Sequence, residues 1–401
     1  MDSSSVRDIL DKTRALVEEH LSTGSLSSRI QAQDQVQKLV WALEQPRDAI
    51  MKLAYGPAVT MALKIALDLN IFSVLAPATS PVPLAELAAA KQADPLLVER
   101  VLRVLVAKGI VNEPAPAEYL PTAVAKELTQ RPSIGVLESL FCEFIPLFRQ
   151  TPEFLKLTKY RNPEDPLATA LQYTYNFNNM DGFTWLCGNP DALRRFNGFM
   201  EGQRTDRPHW ADWFPVRERV LDHPDLGPET PLIVDIGANR GHDLIGFRQR
   251  FPDVPGKLML EDLPKVIDEV RDAQDLEAAK VETQVFDFFN EIQPIHGARV
   301  YYFKHILHDW SDEKASIIIK NLKPAMRPGF SKIIMEEYIL ADQNAALLSC
   351  VTDMAVMAFC SGLERTRRRW DTLLTENGLR VIKYWVPEGD GLGIIEAELA
   401  E

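Results

Sequence analysis

One histidine and several acidic residues follow short apolar segments in the C-terminal half of the chain. His308 lies in the run 301–310, YYFKHILHDW, directly after one such segment. Asp235, Asp262 and Asp287 stand at the ends of three others. An imidazole changes its protonation state near neutral pH, and carboxylates accept hydrogen bonds from hydroxyl or amino groups. These residue types predict proton transfer beside a bound polar ligand, with a purely structural histidine as the alternative.

A glycine-containing turn joins the first apolar segment to a helical one, in the run 234–243, VDIGANRGHD. Gly237 and Gly241 let a ligand approach the backbone closely, and the amides of the following helix offer donors to a carboxylate or phosphate. The spacing Gly-x-x-x-Gly differs from the Gly-x-Gly-x-x-Gly of dinucleotide sites, so a tight structural turn is an equally open interpretation. Asp235 suits an amino group or the organisation of the loop, because it would repel a pyrophosphate.

The next two apolar segments also end in acids. Glu261 and Asp262 close the second segment, where an acid accepts hydrogen bonds from the ribose hydroxyls of an adenosine ligand, and the spacing does not choose between them. Asp287 follows the third segment and precedes Phe288, a pair that suits an adenine amino group and an adenine face. A single acid of this kind is commonly a solvated loop residue. Three at successive segment ends predict a nucleoside site.

Alternating apolar and helical segments must position these residues. Their order predicts a doubly wound, mostly parallel α/β domain, in which ligands bind outside the carboxyl ends of the strands, where His308 is expected. Ser311 is predicted to cap the helix that follows. The predicted strands are Leu232–Ile236, Leu258–Leu260, Val281–Phe286, Val300–Phe303 and Lys332–Tyr338, and the predicted helices are Leu244–Phe251, Lys265–Asp272 and Ala315–Met326.

The first part of the chain has a different pattern. Residues 1–75 predict a helical leader with helices at Val6 to Leu21, Ile30 to Leu43 and Pro57 to Leu69, whose apolar stripes pack either on the chain's own body or on a second copy. Residues 84–120 predict two helices and a small β-wing, with Asp94 as N-cap and Gly109 at the end of the second helix.

Helix, helix and wing are typical of a winged-helix domain, whose usual association is with DNA. The second helix is apolar nearly all round, which leaves few faces to read a groove and favours a buried, interface-forming wing. A DNA-binding regulator with a ligand-sensing domain is the alternative from a different functional class. Residues 132–225 are aromatic-rich and helical, and Asn189-Pro190 is expected to open a further helix.

The composition of the 401 residues narrows the function classes. A net charge of −13 argues against a protein that mainly binds nucleic acid or an anionic membrane. The four cysteines form no Cys-x-x-Cys pair, and the sequence predicts no metal site. The first residues lack the pattern of a signal peptide, and no window is expected to reach the length of a membrane span. We therefore expect a cytoplasmic protein.

Five segments together resemble a known family: 234–264, 287–288, 302–310, 332–340 and 364–366. They are similar to the S-adenosylmethionine-dependent O-methyltransferases of plant and fungal natural-product pathways, with the fungal branch nearer. The resemblance covers nearly the whole chain. It implies a Rossmann-like class I methyltransferase domain, an N-terminal α-helical and winged-helix dimerisation domain, a homodimer, and no nucleic-acid or membrane partner. The expected domains are 1–131, a helical connector at 132–225 that contributes to the substrate pocket, and 226–401.

The resemblance also implies roles for single residues. S-adenosyl-L-methionine is the implied cofactor, and His308 is the implied general base. A phenol near pKa 10 facing an imidazole near 6.5 is an uphill proton transfer, which neighbouring carboxylates make easier. Ala238 and Asn239 stand where the family's loop is richer in glycine. The implied catalytic residues are His308, Asp309, Glu337 and Glu364, and the implied cofactor-binding residues are Asp235, Gly237, Gly241, Asp262, Leu263, Asp287, Phe288 and Lys304.

The expected substrate is a flat, apolar natural product of the aromatic or polyketide type with a phenolic or enolic hydroxyl. Aromatic and methionine residues are its candidate wall, although such residues are more often core. Some fungal members of this fold keep the cofactor unconsumed and catalyse dehydration and pericyclic ring closure, so that activity is the main alternative. The candidate substrate residues are Phe144, Trp185, Met200, Met354, Met357 and Phe359.

Overall fold

A computed structural model describes residues 3–204, 207–387 and 392–400. The chain divides into two compact units. The first consists of Met1–Arg149 and Phe183–Arg207, and the second of Gln150–Gly182 and Pro208–Glu401. Residues of the predicted connector, 132–225, belong to both units, and the boundaries at 131 and 225 stay predictions.

The described part of the first unit is mainly helical, and the three leader helices predicted from the sequence are present. Pro46–Ala54 is an additional helix, which the proline at its first position opens. Two helices cross the boundary between the units, Ile145–Leu157 and Gly182–Cys187. The other helices are Ser3–Thr23, Leu26–Leu43, Gly56–Asp68, Ile71–Leu75, Leu84–Ala89, Pro95–Ala107, Ala123–Glu127, Arg131–Ser139, the π-helix Leu140–Phe144 and Pro190–Arg204.

The stretch Pro46–Asp68 corrects one expectation from the sequence. Its 23 residues are long and apolar enough to cross a membrane by length and composition, and 11% of its most apolar window is buried. Such a stretch is weak evidence for a span, because helices of other kinds pass the same test. The expectation that no window would reach the length of a membrane span was therefore wrong. The stretch consists of two helices, Pro46–Ala54 and Gly56–Asp68, with a single residue between them.

The predicted winged-helix segment shares one hydrophobic core with helices Gly56–Asp68 and Ile71–Leu75. Strands β1 (Val82–Pro83), β2 (Val111–Ala115) and β3 (Glu118–Pro121) form an antiparallel sheet in the order β1-β3-β2. The Asp94 side chain accepts a hydrogen bond of 2.8 Å from the backbone of Leu96, as its predicted capping role requires. The helix behind this cap turns Val98, Val101, Leu102 and Leu105 into the core.

The second unit is built on a seven-stranded sheet in the order β6-β5-β4-β7-β8-β10-β9. Strands β4 to β8 pair in parallel, and β10 pairs antiparallel with both β8 and β9. The chain order therefore reverses between β4 and β7, the place where doubly wound sheets bind ligands. The strands are β4 (Pro231–Ile236), β5 (Lys257–Asp262), β6 (Val281–Val285), β7 (Val300–Lys304), β8 (Lys332–Tyr338), β9 (Leu379–Trp385) and β10 (Leu392–Leu399).

Both faces of this sheet are covered. Tyr301 and Phe303 belong to one buried cluster and Val300 and Tyr302 to another, which is the two-residue alternation of a strand covered on both faces. The predicted α/β fold class is thereby confirmed. The helices of this unit are Ala170–Tyr175, Trp210–Trp213, His242–Arg250, Pro264–Val270, Gln274–Ala278, Asp312–Leu322, Leu347–Cys360 and Arg367–Glu376, with a π-helix at Arg217–Leu221 and 3-10 turns at Leu307–Asp309 and Lys323–Ala325.

Candidate active site

The turn after β4 depends on its two glycines. Gly237 and Gly241 have φ angles of +75° and +70°, a region that side chains rarely adopt. A Cβ atom on Gly237 would lie 2.6 Å from the Cδ1 atom of Ile306. Asn239 also has a positive φ, +52°, which asparagine tolerates better than most residues. The turn thus depends on glycine both for its backbone conformation and because neighbouring side chains pack against it.

Asp262, at the end of β5, is the acid that holds this turn. Its Oδ2 atom accepts a hydrogen bond of 2.9 Å from the backbone of Asn239, and its Oδ1 atom accepts one of 2.8 Å from that of Leu263. Each carboxylate oxygen has a second lone pair, so both can also accept from a hydroxyl. Its neighbour Glu261 instead points into the protein, where it is fully buried and receives a hydrogen bond from Gln293.

Asp287 and Phe288 form the edge of the site after β6. The two carboxylate oxygens of Asp287 accept hydrogen bonds from the backbone of Phe289 and the side chain of Asn290, at 2.9 and 2.8 Å. The ring of Phe288 meets that of Phe289 edge to face at 4.8 Å. These contacts fix the loop, and contact of Asp287 and Phe288 with an adenine stays a prediction.

Lys304 is held in a buried group of charges behind the glycine turn. Its Nζ atom lies 3.0 Å from Oδ1 of Asp243 and 3.1 Å from Oε2 of Glu336. Asp243 stands in the first turn of helix His242–Arg250, where a carboxylate is favourable, and Asp235 is buried within β4. Sequence reasoning gave no role to Asp243, although its place just after Gly241 is the signal that could have found it.

His308 lies in the 3-10 turn that follows β7. Its Nδ1 atom lies 2.7 Å from Oε1 of Glu364, and its Nε2 atom lies 3.4 Å from Oδ1 of Asp309. An ionised carboxylate can only accept hydrogen bonds, so Nδ1 carries a proton toward Glu364. The histidine is therefore oriented by one acid and electrostatically supported by another, as its predicted role requires.

Glu337, from β8, binds the backbone of this turn rather than the imidazole. Its Oε1 atom accepts hydrogen bonds of 3.1 and 2.9 Å from the backbone N–H groups of Ile306 and Leu307. Its Oε2 atom is buried and has no hydrogen-bond partner among the described residues. Glu337 thus fixes the position of the turn through the main chain and places a carboxyl group near His308.

Arg365 is a residue of this site that the sequence analysis did not single out. It is fully buried, and its guanidinium donates hydrogen bonds of 2.7 Å to the carbonyls of Leu307 and Trp310 and lies 2.7 Å from Oδ1 of Asp312. A planar group with several fixed donors suits such a clamp. Its position directly after Glu364 is the only signal in the sequence.

The carboxylates around His308 set its protonation. Burial alone would disfavour the charged imidazolium, but Asp309, Glu364 and Glu337 outweigh burial and hold the pKa of His308 well above its usual range. Burial raises the pKa of Asp309 to about 6 and that of Glu337 to about 7. Cys360 lies 3.6 Å from Asp309 Oδ1, and burial raises the pKa of its thiol. The three carboxyl groups around His308 therefore favour a positive charge on its imidazole.

The candidate substrate residues are divided between the two units. Phe144, Trp185 and Met200 lie in the first unit and Met354, Met357 and Phe359 in the second. Phe144 and Phe359 are buried, 6% and 5% exposed, as core residues are, whereas Met354 is 52% exposed. A role for these residues in substrate binding stays a prediction.

Two family models match this chain, one in each part of the sequence. The O-methyltransferase domain matches residues 199–380, and the O-methyltransferase dimerisation domain matches residues 51–131. One curated relative is the O-methyltransferase penC of Penicillium thymicola, 34% identical over 88% of this chain and 87% of the relative. Another is the demethylsterigmatocystin 6-O-methyltransferase of Aspergillus parasiticus, 31% identical over 95% of each chain.

Solved structures are similar in fold over nearly the whole chain. The structure of LepI in complex with S-adenosylmethionine has a TM-score of 0.87 and 26% identity, and the alignment covers 99% of this chain and 100% of that one. OxaC in complex with sinefungin and meleagrin, at 24% identity and a TM-score of 0.84 over 99% of each chain, shares the fold. The chain belongs to the O-methyltransferase family and combines that family's dimerisation and methyltransferase domains.

Proposed function

We propose that the protein is an S-adenosyl-L-methionine-dependent O-methyltransferase that methylates a phenolic or enolic hydroxyl of an aromatic or polyketide-type natural product. The buried pair of His308 and Glu364, at the carboxyl edge of a parallel sheet, is the observation that carries this proposal. Family membership supports it, since the curated relatives include O-methyltransferases, among them a demethylsterigmatocystin 6-O-methyltransferase.

The residues of the second unit fit the cofactor. Gly237 and Gly241 give the turn the positive φ angles that it needs, and the oxygens of Asp262 keep lone pairs for ribose hydroxyls. Asp287 and Phe288 would hold the adenine, Asp235 and Leu263 would line the site, and Lys304 would support the turn from behind. The sulfonium of the bound cofactor supplies an electrophilic methyl group.

In the proposed reaction, His308 removes the proton of the substrate hydroxyl through Nε2. Glu364 holds the opposite nitrogen at 2.7 Å, which keeps the tautomer with Nε2 free, and stabilises the imidazolium that forms. Asp309 adds a second negative charge 3.4 Å from Nε2. Glu337 and Arg365 keep the turn in place through its backbone. Because these carboxylates make the imidazole more basic, the transfer from a phenol is less uphill.

A second candidate function is dehydration or pericyclic ring closure with an unconsumed cofactor. Two observations favour it: a structural neighbour at 26% identity is described as a pericyclic reaction enzyme, and the raised pKa of His308 makes its imidazolium available as an acid. Incubation with candidate polyketides and cofactor labelled in its methyl group separates the two. Methyl transfer requires labelled product and S-adenosylhomocysteine in equal amounts. Turnover that yields no S-adenosylhomocysteine would establish the second candidate instead.

We also propose that two copies associate through the N-terminal domain and that the enzyme works in the cytoplasm. The dimerisation match at 51–131 overlaps the apolar stretch Pro46–Asp68, in which Leu53 is 79% and Tyr55 is 64% exposed. None of the four cysteines, all of which are among the described residues, forms a disulfide, the state that a reducing compartment maintains. Light scattering on the full chain should give twice the monomer mass, and Leu53→Asp should reduce it.

A further inference from the structure

His305 and Glu337 face each other in the proposed active site. His305 follows β7 directly and has a φ of +52°, which is uncommon for a residue other than glycine. Its side chain is 7% exposed, and its Nδ1 atom lies 4.0 Å from Oε2 of Glu337. Backbone strain of this kind is found where a side chain is held for function. Here it keeps an imidazole beside a buried carboxylate.

Glu337 presents an oxygen that lacks a donor. The residue is fully buried, and both hydrogen bonds from the backbone reach Oε1. Within the described residues, Oε2 accepts no hydrogen bond, although a buried carboxylate oxygen without a partner is costly. A cation bound at this oxygen would remove that cost.

His308 completes the group. His305, His308 and Glu337 each offer one ligand atom, and these atoms lie within 4.8 Å of one another. Four-coordinate Zn²⁺ binds nitrogen and oxygen at about 2.0–2.2 Å, which sets its ligands about 3.4 Å apart, so small side-chain rotations would close the site. The contact of His308 with Glu364 is the carboxylate–histidine pairing that commonly orients a metal ligand.

We propose that His305, His308 and Glu337 bind a divalent transition-metal ion of the Zn²⁺ class, and that this ion inhibits the enzyme. Two imidazoles and a carboxylate are ligands that Zn²⁺ prefers, and the further carboxylates of Asp309 and Glu364 favour a dication. The sequence predicted no metal site. His305 and His308 show the spacing His-x-x-His, but the acid, Glu337, comes from another strand. The inhibition rests on the proposed function, since the ion would occupy the nitrogen of His308 that serves as base. Binding of the ion does not depend on that function.

The test is made on the full chain without a histidine tag, after treatment with a chelator. Zn²⁺ is titrated against a chromophoric chelator, and Co²⁺ is added separately to record its visible ligand-field spectrum. We expect one tightly bound ion per chain and a Co²⁺ spectrum typical of four-coordination that Zn²⁺ abolishes. This spectrum of the unmodified protein tests the site even where a variant does not fold.

Two variants locate the ion. His305→Gln and Glu337→Gln should each weaken Zn²⁺ binding by at least about tenfold. His296→Gln, which changes an exposed histidine of the same unit, is the matched control and should leave both binding and turnover unchanged. Absence of a four-coordinate Co²⁺ spectrum, or equal Zn²⁺ affinity in all variants, would overturn the site.

Turnover gives a separate readout. Zn²⁺ should inhibit methyl transfer at the concentration at which it binds, and a chelator should restore the activity. If Zn²⁺ binds in a way that depends on His305 but leaves turnover unchanged, the proposed inhibition is wrong, and so is the role of His308 as base. If the unmodified protein transferred methyl normally but bound no Zn²⁺, the metal site would be overturned and the proposed function would stand.

Discussion

The Nδ1 atom of His308 lies 2.7 Å from Oε1 of Glu364, and both residues are buried, 8% and 2% exposed. In the proposed function this pair takes part in proton transfer, and neither residue belongs to the turns at Gly237 or Asp262, which form the proposed cofactor site. Changes in the pair should therefore affect turnover and leave cofactor affinity nearly unchanged.

Replacement of the base tests this directly. His308→Ala should lower kcat by about 10²–10⁴-fold, the usual contribution of a general base, while the Kd for S-adenosyl-L-methionine from calorimetry stays within about twofold. His296→Ala, at an exposed position, serves as the control. Loss of cofactor binding in the His308 variant would contradict the assignment.

The charge of Glu364 should be visible in the pH profile. Glu364→Gln can still accept the hydrogen bond from Nδ1 but no longer raises the pKa of His308, so the deprotonated base should exist at lower pH. The acidic limb of kcat/KM should move down by about one pH unit, and kcat should fall as the imidazolium loses stabilisation. An unchanged limb would show that another group titrates in this range.

The cofactor site can be tested at Asp262. Asp262→Asn removes the negative charge that faces the turn and the proposed ribose position, and should weaken cofactor binding by at least about tenfold, since hydrogen bonds to charged groups contribute about 1.5–3 kcal/mol. Calorimetry measures the change. Asp268→Asn, on the exposed face of helix Pro264–Val270, should bind the cofactor normally. Equal affinities in both variants would argue against a ribose contact.

Gly362 approaches the catalytic turn more closely than any side chain would allow. A Cβ atom there would lie 2.4 Å from the carbonyl oxygen of His308, so Gly362→Ala must displace the turn. We expect kcat to fall by about 10²-fold with cofactor affinity retained, because small misplacements of a catalytic group have effects of this size. Gly227→Ala has free space for its methyl group and is the matched control. Normal turnover of Gly362→Ala would mean that the position of the turn does not limit the reaction.

Glu261 should make stability depend on pH. Burial raises its pKa from the usual 4.5 to about 8, so between these values the folded protein binds more protons than the unfolded chain. Stability from this group therefore falls as pH rises through that range and is lowest above it. Glu261→Gln should be nearly neutral at pH 5 and stabilising by a few kcal/mol at pH 9 in denaturant titrations. A gain that does not grow with pH would contradict this.

Much of the fold could be predicted because strand periodicity and helix caps are local signals. Lys332–Tyr338 was predicted with its observed bounds, and Asp94 and Ser311 cap the helices they were expected to cap. Strands β9 and β10 were missed. β10 takes its place in the sheet by antiparallel pairing with β8, a long-range contact that no local pattern records, and β9 pairs with β10.

The site followed the same rule. His308 and the acids at strand ends could be singled out as candidates because the architecture gathers those ends at one edge. The clamp of Arg365 and the ion pair of Asp243 depend on contacts across 58 and 61 residues of sequence, so the sequence shows their places beside Glu364 and Gly241 but not their partners. The second oxygen of Glu337, which makes it a candidate metal ligand, is likewise visible only once the backbone of the turn is in place.

The catalytic turn is held by its main chain: Glu337 binds the N–H groups of Ile306 and Leu307, and Arg365 binds the carbonyls of Leu307 and Trp310. Every residue except proline supplies these backbone groups. The side chains on the turn are therefore free to change in evolution without loss of the scaffold. One inherited framework can then exchange its reactive group, which gives a physical reason why a single fold could diversify from one reaction to another.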